Sequence, residues 1–311
     1  MPGQADDSNY GFAYVGEMNN FIAALRLQRP YSRFLGRTAL LFAFSAAVHL
    51  AVAIARGFDF SGAVSFRKPV TFALSFALMM WAMGWMMDRF PYRPRLAWPL
   101  TVVLAGGALI ETGLITMQSW RGQASHFNLA TDFDAGVFAG MGLTIGAVSL
   151  ALATLTVWAF REAPADLRLA LRAGMVLVVL GLGLGVPLIE MGTRLWETVG
   201  SVPNELTVGA AGAAKFPHAI ALHGIQVFIL AAVVARAVAD PYRSHIVRWT
   251  VGGYVAIVGW AVIHTNSGRA PTDPTGLESV LLFGGIGALL AAATVWLLAI
   301  RTPVPSTLQA G

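Results

Sequence analysis

Eight apolar stretches, separated by short polar segments, make up most of the chain after residue 36. Each has close to the ~20 residues that a helix needs to cross a bilayer. A backbone in lipid must satisfy its own hydrogen bonds, so the pattern predicts an all-α fold, a polytopic membrane helical bundle of about eight transmembrane helices. The predicted spans are 38–55, 69–87, 97–118, 135–160, 169–191, 217–237, 247–265 and 278–300.

Composition agrees with this class. The 311 residues are 56% hydrophobic and only 12% charged, whereas soluble domains are about a quarter charged. There is no cysteine, which excludes disulfides, thiolate metal sites and iron–sulfur clusters. Lysine and arginine outnumber aspartate and glutamate by 21 to 16. No basic run with interleaved aromatic residues occurs, so we expect a lipid bilayer and no nucleic acid as the partner.

The distribution of arginine predicts the orientation. Most basic residues fall in the N-terminal segment and in every second loop after it, which by the positive-inside rule places both termini in the cytoplasm of a multi-pass plasma (inner) membrane protein. We expect a cytoplasmic segment at 1–35 with a short interfacial helix at 18–28, an eight-span domain at 36–301 and a cytoplasmic tail at 302–311. The Ala53-Ile-Ala55 triplet resembles a signal-peptidase site, but the long preceding polar region favours an uncleaved anchor.

Three short sequence similarities between the two halves of the chain predict an internal repeat. Lys68 and Pro69 open the second span, Lys215 and Pro217 open the sixth, and these are the chain's two lysines. A Thr-Val-Trp triplet lies near the ends of the fourth and eighth spans, and a Gly–Arg pair follows the third and the seventh. Four spans per unit predict a 4+4 parallel repeat about an axis along the membrane normal. The alternative is chance similarity among apolar helices.

The unusual polar residues sort to the predicted outer half. At a helical rise of 1.5 Å per residue, His49 and Glu111 lie about 10 Å below the outer boundary, and His223 about 12 Å below it. Ionisable groups inside a span indicate a functional site, although each can also serve as an interhelical hydrogen-bonding group. The candidate residues are His49, Glu111, Gln118, Arg121, His126, Asn128, Glu190, His218, His223, Gln226 and His264.

The first hypothesis is a haem or transition-metal site for redox chemistry or electron transfer near the outer face. His49 and His223 are the predicted ligands, and Glu111 is a third ligand or a proton acceptor. His264 and Glu190 then lead to the surface, where a small molecule or redox partner would bind.

Two alternatives use the same residues differently. In a proton-coupled secondary transporter, Glu111, Glu190 and the histidines take up protons, and Arg121 or Lys215 meets an anionic solute. In a membrane-embedded partner or sensor without chemistry, the outer loops form a docking face. Asp134, in the outer loop after the third span, is expected to cap the fourth helix.

Overall fold

The computed structural model describes residues 21–58, 61–202, 206–240, 242–270 and 272–300. Nearly all of them are helical. The helices are α1 (Pro30–Ala55), α2 (Arg67–Arg89), α3 (Pro94–Trp120), α4 (Asp132–Glu162), α5 (Arg168–Val199), α6 (Lys215–Leu222), α7 (Gly224–Val234), α8 (Tyr242–Ser267) and α9 (Gly276–Ala299), and two short antiparallel strands, β1 (Thr207–Val208) and β2 (Gly212–Ala213), precede α6.

Within these described ranges, eight segments are long and apolar enough to cross a membrane; α6, α7 and a 3-10 turn (Ala235–Ala237) together form one of them. The prediction of an all-α polytopic bundle with about eight spans is confirmed. Residues 21–25 are helical and fall inside the predicted interfacial helix at 18–28. Residues 26–28 are described and not helical, so the helix ends at residue 25, before the predicted end. Residues 18–20 of that prediction and the predicted tail at 302–311 lie outside the described residues.

The order of helix neighbours is similar in the two halves of the chain. In the first half, α1 packs mainly on α2, α3 on α4, and α2 on α3. In the second half, α5 packs on α6 and α7, α8 on α9, and α7 on α8. Contacts of α4 with α5 and of α2 with α7 join the halves. A duplication would produce this arrangement, and the repeat itself stays a prediction.

Helix α1 begins at Pro30, eight residues before the predicted span, because a neighbouring helix caps it. Proline fits the first helical turn, where a backbone donor would lack a partner. The Asp88 carboxylate at the end of α2 accepts hydrogen bonds from the backbone N–H groups of Gln28 (2.6 Å) and Arg29 (3.1 Å) and from the Ser32 hydroxyl (2.7 Å). The cap therefore comes from a helix that lies 56 residues or more away in sequence.

Packing differs strongly between the spans. Helix α2 is the most buried span, and Met80, Met83 and Trp85 on it are fully enclosed. Helix α9 is the most exposed span and packs almost entirely on α8. These two helices contact each other at Gly253 of α8 and Gly285 of α9. A Cβ added to Gly253 would lie 2.7 Å from the Gly285 carbonyl oxygen, and a Cβ added to Gly285 would lie 2.7 Å from the Gly253 carbonyl oxygen. Small residues permit such close approach in membranes.

Consecutive spans run in opposite directions, so the N-termini of α2, α4, α6 and α9 share one end of the bundle with the C-termini of α1, α3, α5 and α8. Both lysines lie there. We call this end the lysine end.

Candidate functional site

The loop between α3 and α4 holds His126 among aromatic rings. The ring centroids of Phe72, Phe127 and Phe138 lie 5.6, 6.0 and 6.2 Å from that of His126. Phe127 has a φ of 59°, a left-handed conformation that is rare for a bulky residue. Its ring packs where a side chain on Gly192 would clash. A strained backbone of this kind persists only when its surroundings hold it, so His126 sits in a fixed position.

Glu111, from the middle of α3, faces His126. The carboxyl group is 2% exposed, and its Oε1 atom lies 3.7 Å from Nε2 of His126. Oε2 has no hydrogen-bond partner among the described residues. Burial, and then the nearby Lys68 and Lys215 ammonium groups, lower the pKa of His126 to about 3. The imidazole is therefore neutral near pH 7, and its Nδ1 lies 3.0 Å from the Ser125 hydroxyl.

The two lysines of the chain come near each other and near His126. Lys68 lies in the first turn of α2 and Lys215 opens α6, and their ammonium groups are within electrostatic range of each other and of His126. Within the described part of the chain, the half-buried Lys68 side chain makes no hydrogen bond or ion pair. Each lysine stands at a helix N-terminus, where the backbone dipoles also favour a negative charge. The lysine end thus concentrates positive potential near His126.

A line of polar side chains continues from the lysines toward the middle of the bundle, along the contact between α2 and the α6–α7 span. The Ser75 hydroxyl lies 3.1 Å from Nε2 of His223. Deeper still, the Gln226 amide nitrogen lies 3.9 Å from the Met79 sulfur. We call the line formed by Ser75, Met79, His223 and Gln226 the polar seam. Gln226 is eleven residues beyond Lys215, which corresponds to about 16 Å of helix, roughly half of the ~30 Å hydrocarbon core.

The sixth span is broken within this seam. Helix α6 ends at Leu222 and α7 starts at Gly224, with His223 between them at a φ of −95° and a ψ of 1°. The Ile220 carbonyl near the break accepts a hydrogen bond from the Tyr254 hydroxyl at 2.8 Å. His223 Nδ1 and Gln226 Oε1 are buried without hydrogen-bond partners among the described residues. The two side chains lie close to each other, but no hydrogen bond of normal geometry joins them.

The sequence-based role of His49 as a cofactor ligand has no support in this geometry. His49 Nδ1 lies 2.7 Å from the carbonyl oxygen of Ser45, and its Nε2 accepts a hydrogen bond from the Trp120 indole at 3.2 Å. Its ring also stacks on Phe66, with centroids 6.2 Å apart. Both ring nitrogens therefore have hydrogen-bond partners, and the contact with Trp120 links α1 to the end of α3.

The predicted metal set is not assembled. Among the described residues, no three histidine, aspartate or glutamate side chains are grouped so that they could hold an ion. His49 contacts Trp120, Glu111 faces His126, and His223 contacts Ser75. The sequence predicts a similar depth in the bilayer for the three residues, but depth does not determine which neighbour a side chain faces.

Arg121, predicted to bind a cofactor or an anionic group, stabilises the start of α4 instead. Its guanidinium donates a 2.7 Å hydrogen bond to Oδ1 of Asp134, and Gln118 donates to the same oxygen at 2.8 Å. Thr131 is the N-cap residue: its hydroxyl accepts from the Asp134 backbone N–H and donates to the Asp134 carboxylate. Asp134 thus acts at the helix start, as expected, from the third helical position. Gln118 and Arg121 are parts of this cap.

A second cap of the same design starts α9. The Thr275 hydroxyl and Glu278 form a capping box, and the Arg269 guanidinium donates to the Glu278 carboxylate. His264 Nε2 lies 2.8 Å from the Ala270 carbonyl oxygen, and its Nδ1 lies 3.4 Å from Oε2 of Glu278 without hydrogen-bond geometry. The two halves of the chain therefore share a cap design. An arginine after one helix (Arg121 or Arg269) donates a hydrogen bond to the acidic residue at the third position of the next helix (Asp134 or Glu278). His264 belongs to this second cap, not to the His126 region.

The remaining predicted residues lie apart from His126. Glu190 is exposed and paired with Arg194 one turn away on α5. His218 Nδ1 lies 2.7 Å from the Gly181 carbonyl oxygen, a contact that joins α6 to α5. The Asn128 amide donates to a carbonyl within its own loop and accepts from the Ala130 N–H, so it shapes the loop that presents His126.

Sequence reasoning treated Lys68 only as a marker of the repeat and did not single out Ser75. The sequence did contain a signal for Lys68. The chain has two lysines, and each stands at the start of a predicted span on the same side of the membrane. No sequence signal identifies Ser75, since a lone serine in a span is common and only the packing of α2 on α7 brings it to His223.

No protein-family model, curated protein or solved structure matches this chain. The fold defines its class: a multi-pass membrane helical bundle with a half-buried polar seam that starts at one end.

Proposed function

We propose that this protein is a proton-coupled carrier of a small anionic solute, with its lysine end facing the outside of the cell. The solute binds first at Lys68 and Lys215 and then along the polar seam, while Glu111 and His126 exchange the proton. The observation that carries this proposal is the seam itself, which starts at two basic helix N-termini and ends at a broken helix near mid-membrane.

The charge arrangement selects an anion. Lys68 lacks a hydrogen bond or ion pair within the described ranges, Lys215 repels it, and both stand at helix N-termini that attract negative charge. An anion placed between the lysines would relieve this repulsion. The outward orientation follows from the arginine distribution, which favours the opposite end as cytoplasmic.

The broken span supplies a binding element deeper in the membrane. Discontinuous helices in carriers leave backbone groups and half-helix ends free to bind a substrate or a coupling ion near the bilayer midplane. At the break in this chain, His223 Nδ1 and Gln226 Oε1 lack partners among the described residues, and both are next to the end of α6. These atoms can hydrogen-bond a solute that has passed the lysines.

The Glu111–His126 pair supplies the proton-exchanging group. The Oε2 atom of Glu111 has no hydrogen-bond donor in the described structure, so a proton can bind there without breaking an existing contact. The His126 imidazole, 3.7 Å away, is neutral near pH 7 and can pass a proton from the loop to the carboxyl group. Proton uptake at Glu111 would remove a negative charge, and the electrostatic potential at Lys68 would then favour the bound anion more strongly.

The other two hypotheses have less support. A haem or metal between His49 and His223 would require His49 to give up the hydrogen bonds to Trp120 and Ser45. A docking face without chemistry leaves the buried Glu111 and the lone Lys68 ammonium unexplained, because a docking surface needs neither.

The test is transport by purified protein in liposomes that contain a pH-sensitive dye. Lactate, nitrate, phosphate and sulfate are each added outside under an inward proton gradient. We expect at least one anion to acidify the lumen faster with protein present. Lys68→Met should abolish the acidification, and Glu111→Gln should leave anion binding but remove coupling to protons.

Glu190→Gln is the matched control, because Glu190 is an exposed carboxylate on the same end of the bundle. The proposal fails if none of the anions acidifies the lumen and none stabilises the wild-type protein. Stabilisation is measured as an anion-induced increase in unfolding temperature that is larger for the wild type than for Lys68→Met.

A further inference from the structure

A groove lies between α1 and α2 on the surface of the bundle, and the proposed transport does not use it. The groove begins at the end of the bundle opposite the lysines, where α1 starts. Its volume is about 540 Å³, within the range of roughly 300–1,000 Å³ that is usual for ligand sites. The α1 wall includes Arg33, Gly36, Arg37, Leu40 and Ala43. These residues recur every three or four positions and therefore share one face of the helix.

Two arginines line the groove near the start of α1. Arg33 and Arg37 are exposed and one helical turn apart, and within the described part of the chain their side chains make no hydrogen bond or ion pair. Like charges at this spacing repel each other. The sequence from 21 to 58 contains no aspartate or glutamate, and the Asp88 carboxylate is 3% exposed and occupied by the hydrogen bonds that cap α1. An anion between the two guanidinium groups would relieve the repulsion.

Beyond the arginines the groove is apolar. Leu40 of α1 and Leu74 and Leu78 of α2 line it and are exposed, so its walls are open to the lipid that surrounds the bundle. Ten residues separate Arg33 from Ala43, which corresponds to about 15 Å of helix. That length is half of the ~30 Å hydrocarbon core of a bilayer, so the groove has the depth of one leaflet. It therefore suits a molecule with an anionic end and an apolar chain.

We propose that this groove binds one anionic phospholipid, with its phosphate between Arg33 and Arg37 and an acyl chain along the apolar part. The guanidinium group presents its donors in a planar fork that matches phosphate oxygens, and basic pockets beside transmembrane helices hold anionic headgroups. A zwitterionic phospholipid has the same phosphate, but its ammonium group would lie near two guanidinium groups. The groove should therefore select lipids with a net negative charge.

The test is native mass spectrometry of the full-length protein in detergent, which counts the lipids that stay bound. Dioleoyl phosphatidylglycerol and dioleoyl phosphatidylcholine are titrated separately, so that the acyl chains are the same and only the headgroup charge differs. We expect one phosphatidylglycerol to bind about 10-fold more tightly than phosphatidylcholine. Arg33→Gln and Arg37→Gln should each weaken phosphatidylglycerol binding about 5-fold, the usual effect of one basic residue near anionic headgroups. Binding of phosphatidylcholine should not change.

Matched variants separate the charge of the groove from its shape. Arg168→Gln is the charge control, because Arg168 is an exposed arginine at the start of α5 on the same end of the bundle and does not line the groove. It should bind phosphatidylglycerol like the wild type. Ala43→Phe blocks the apolar part from an exposed position without changing the charge, and should abolish the tight binding of phosphatidylglycerol. Ala47→Phe, at an exposed position one turn further along α1, should leave it intact.

Three results would overturn the inference. The first is equal binding of the two lipids by the wild-type protein. The second is wild-type binding of phosphatidylglycerol by the double variant with Arg33→Gln and Arg37→Gln. The third is a dimer of the chain that Ala43→Phe dissociates and Ala47→Phe does not, because the groove would then be an interface between two copies.

Discussion

Nε2 of His126, in the loop after α3, lies 3.7 Å from Oε1 of Glu111 in the middle of that helix. The two residues are fifteen positions apart, and the pair exists because the loop folds back over the helix end. Burial and the two lysines lower the pKa of His126 to about 3, so the folded protein holds a neutral imidazole where the unfolded chain binds a proton below pH ~6.5.

This difference predicts acid sensitivity. The unfolded state binds more protons between pH 6.5 and 3, so the free energy of unfolding falls as the pH decreases through that interval. We expect His126→Gln to reduce the drop in unfolding temperature between pH 7 and pH 5, measured in detergent. His245→Gln, at an exposed position on the opposite end, should leave the wild-type drop unchanged. An identical drop in His126→Gln and the wild type would show that His126 titrates normally.

Asp88→Ala should destabilise the protein by about 1–2 kcal/mol, the usual effect of losing a helix N-cap. The carboxylate is the acceptor for two backbone N–H groups and a hydroxyl at the start of α1. Thermal unfolding in detergent measures the loss. Asp166→Ala removes an exposed ion pair with Arg236 and should cost under about 1 kcal/mol. Equal effects of the two variants would contradict the capping role.

Gly253→Ala should weaken the contact between α8 and α9. The new methyl group would lie 2.7 Å from the Gly285 carbonyl oxygen, and we expect about 1–3 kcal/mol of destabilisation from the forced separation. Gly252→Ala is the matched control on the same helix, because nothing lies within 4 Å of its added atom; it should be neutral or stabilising, since alanine favours the helix. The unfolding temperatures of the pair give the comparison.

Glu278→Ala should be among the more damaging single changes at the lysine end. Glu278 is 2% exposed, and its loss leaves Arg269 and the Thr275 N–H without their acceptor. The Arg269 side chain is 32% exposed, so we expect a cost of about 2–3 kcal/mol, the range for losing hydrogen bonds to a charged group. Glu190→Ala, which breaks an exposed pair, should cost under about 1 kcal/mol. Similar unfolding temperatures for the two variants would be inconsistent with the cap at α9.

The sequence-based predictions succeeded where a one-dimensional signal exists. Span length and apolar content predict the helices, and the structure has eight of them long enough to cross a bilayer. They cannot determine which neighbour a side chain faces. His49 was assigned to a cofactor because histidine in a span is costly, yet Trp120 and Ser45 satisfy both of its nitrogens.

The sequence by itself determined that this chain is a polytopic bundle of about eight helices, because a bilayer imposes a length and a composition on each span that can be counted. Tertiary structure alone decided that Lys68 and Lys215 come within electrostatic range of each other, that Ser75 lies beside His223, and that Glu111 faces His126 and not His49. Helix rotation and neighbour choice set these pairs. In lipid they depend on close packing and a few hydrogen bonds, which leave no regular pattern in the order of residues.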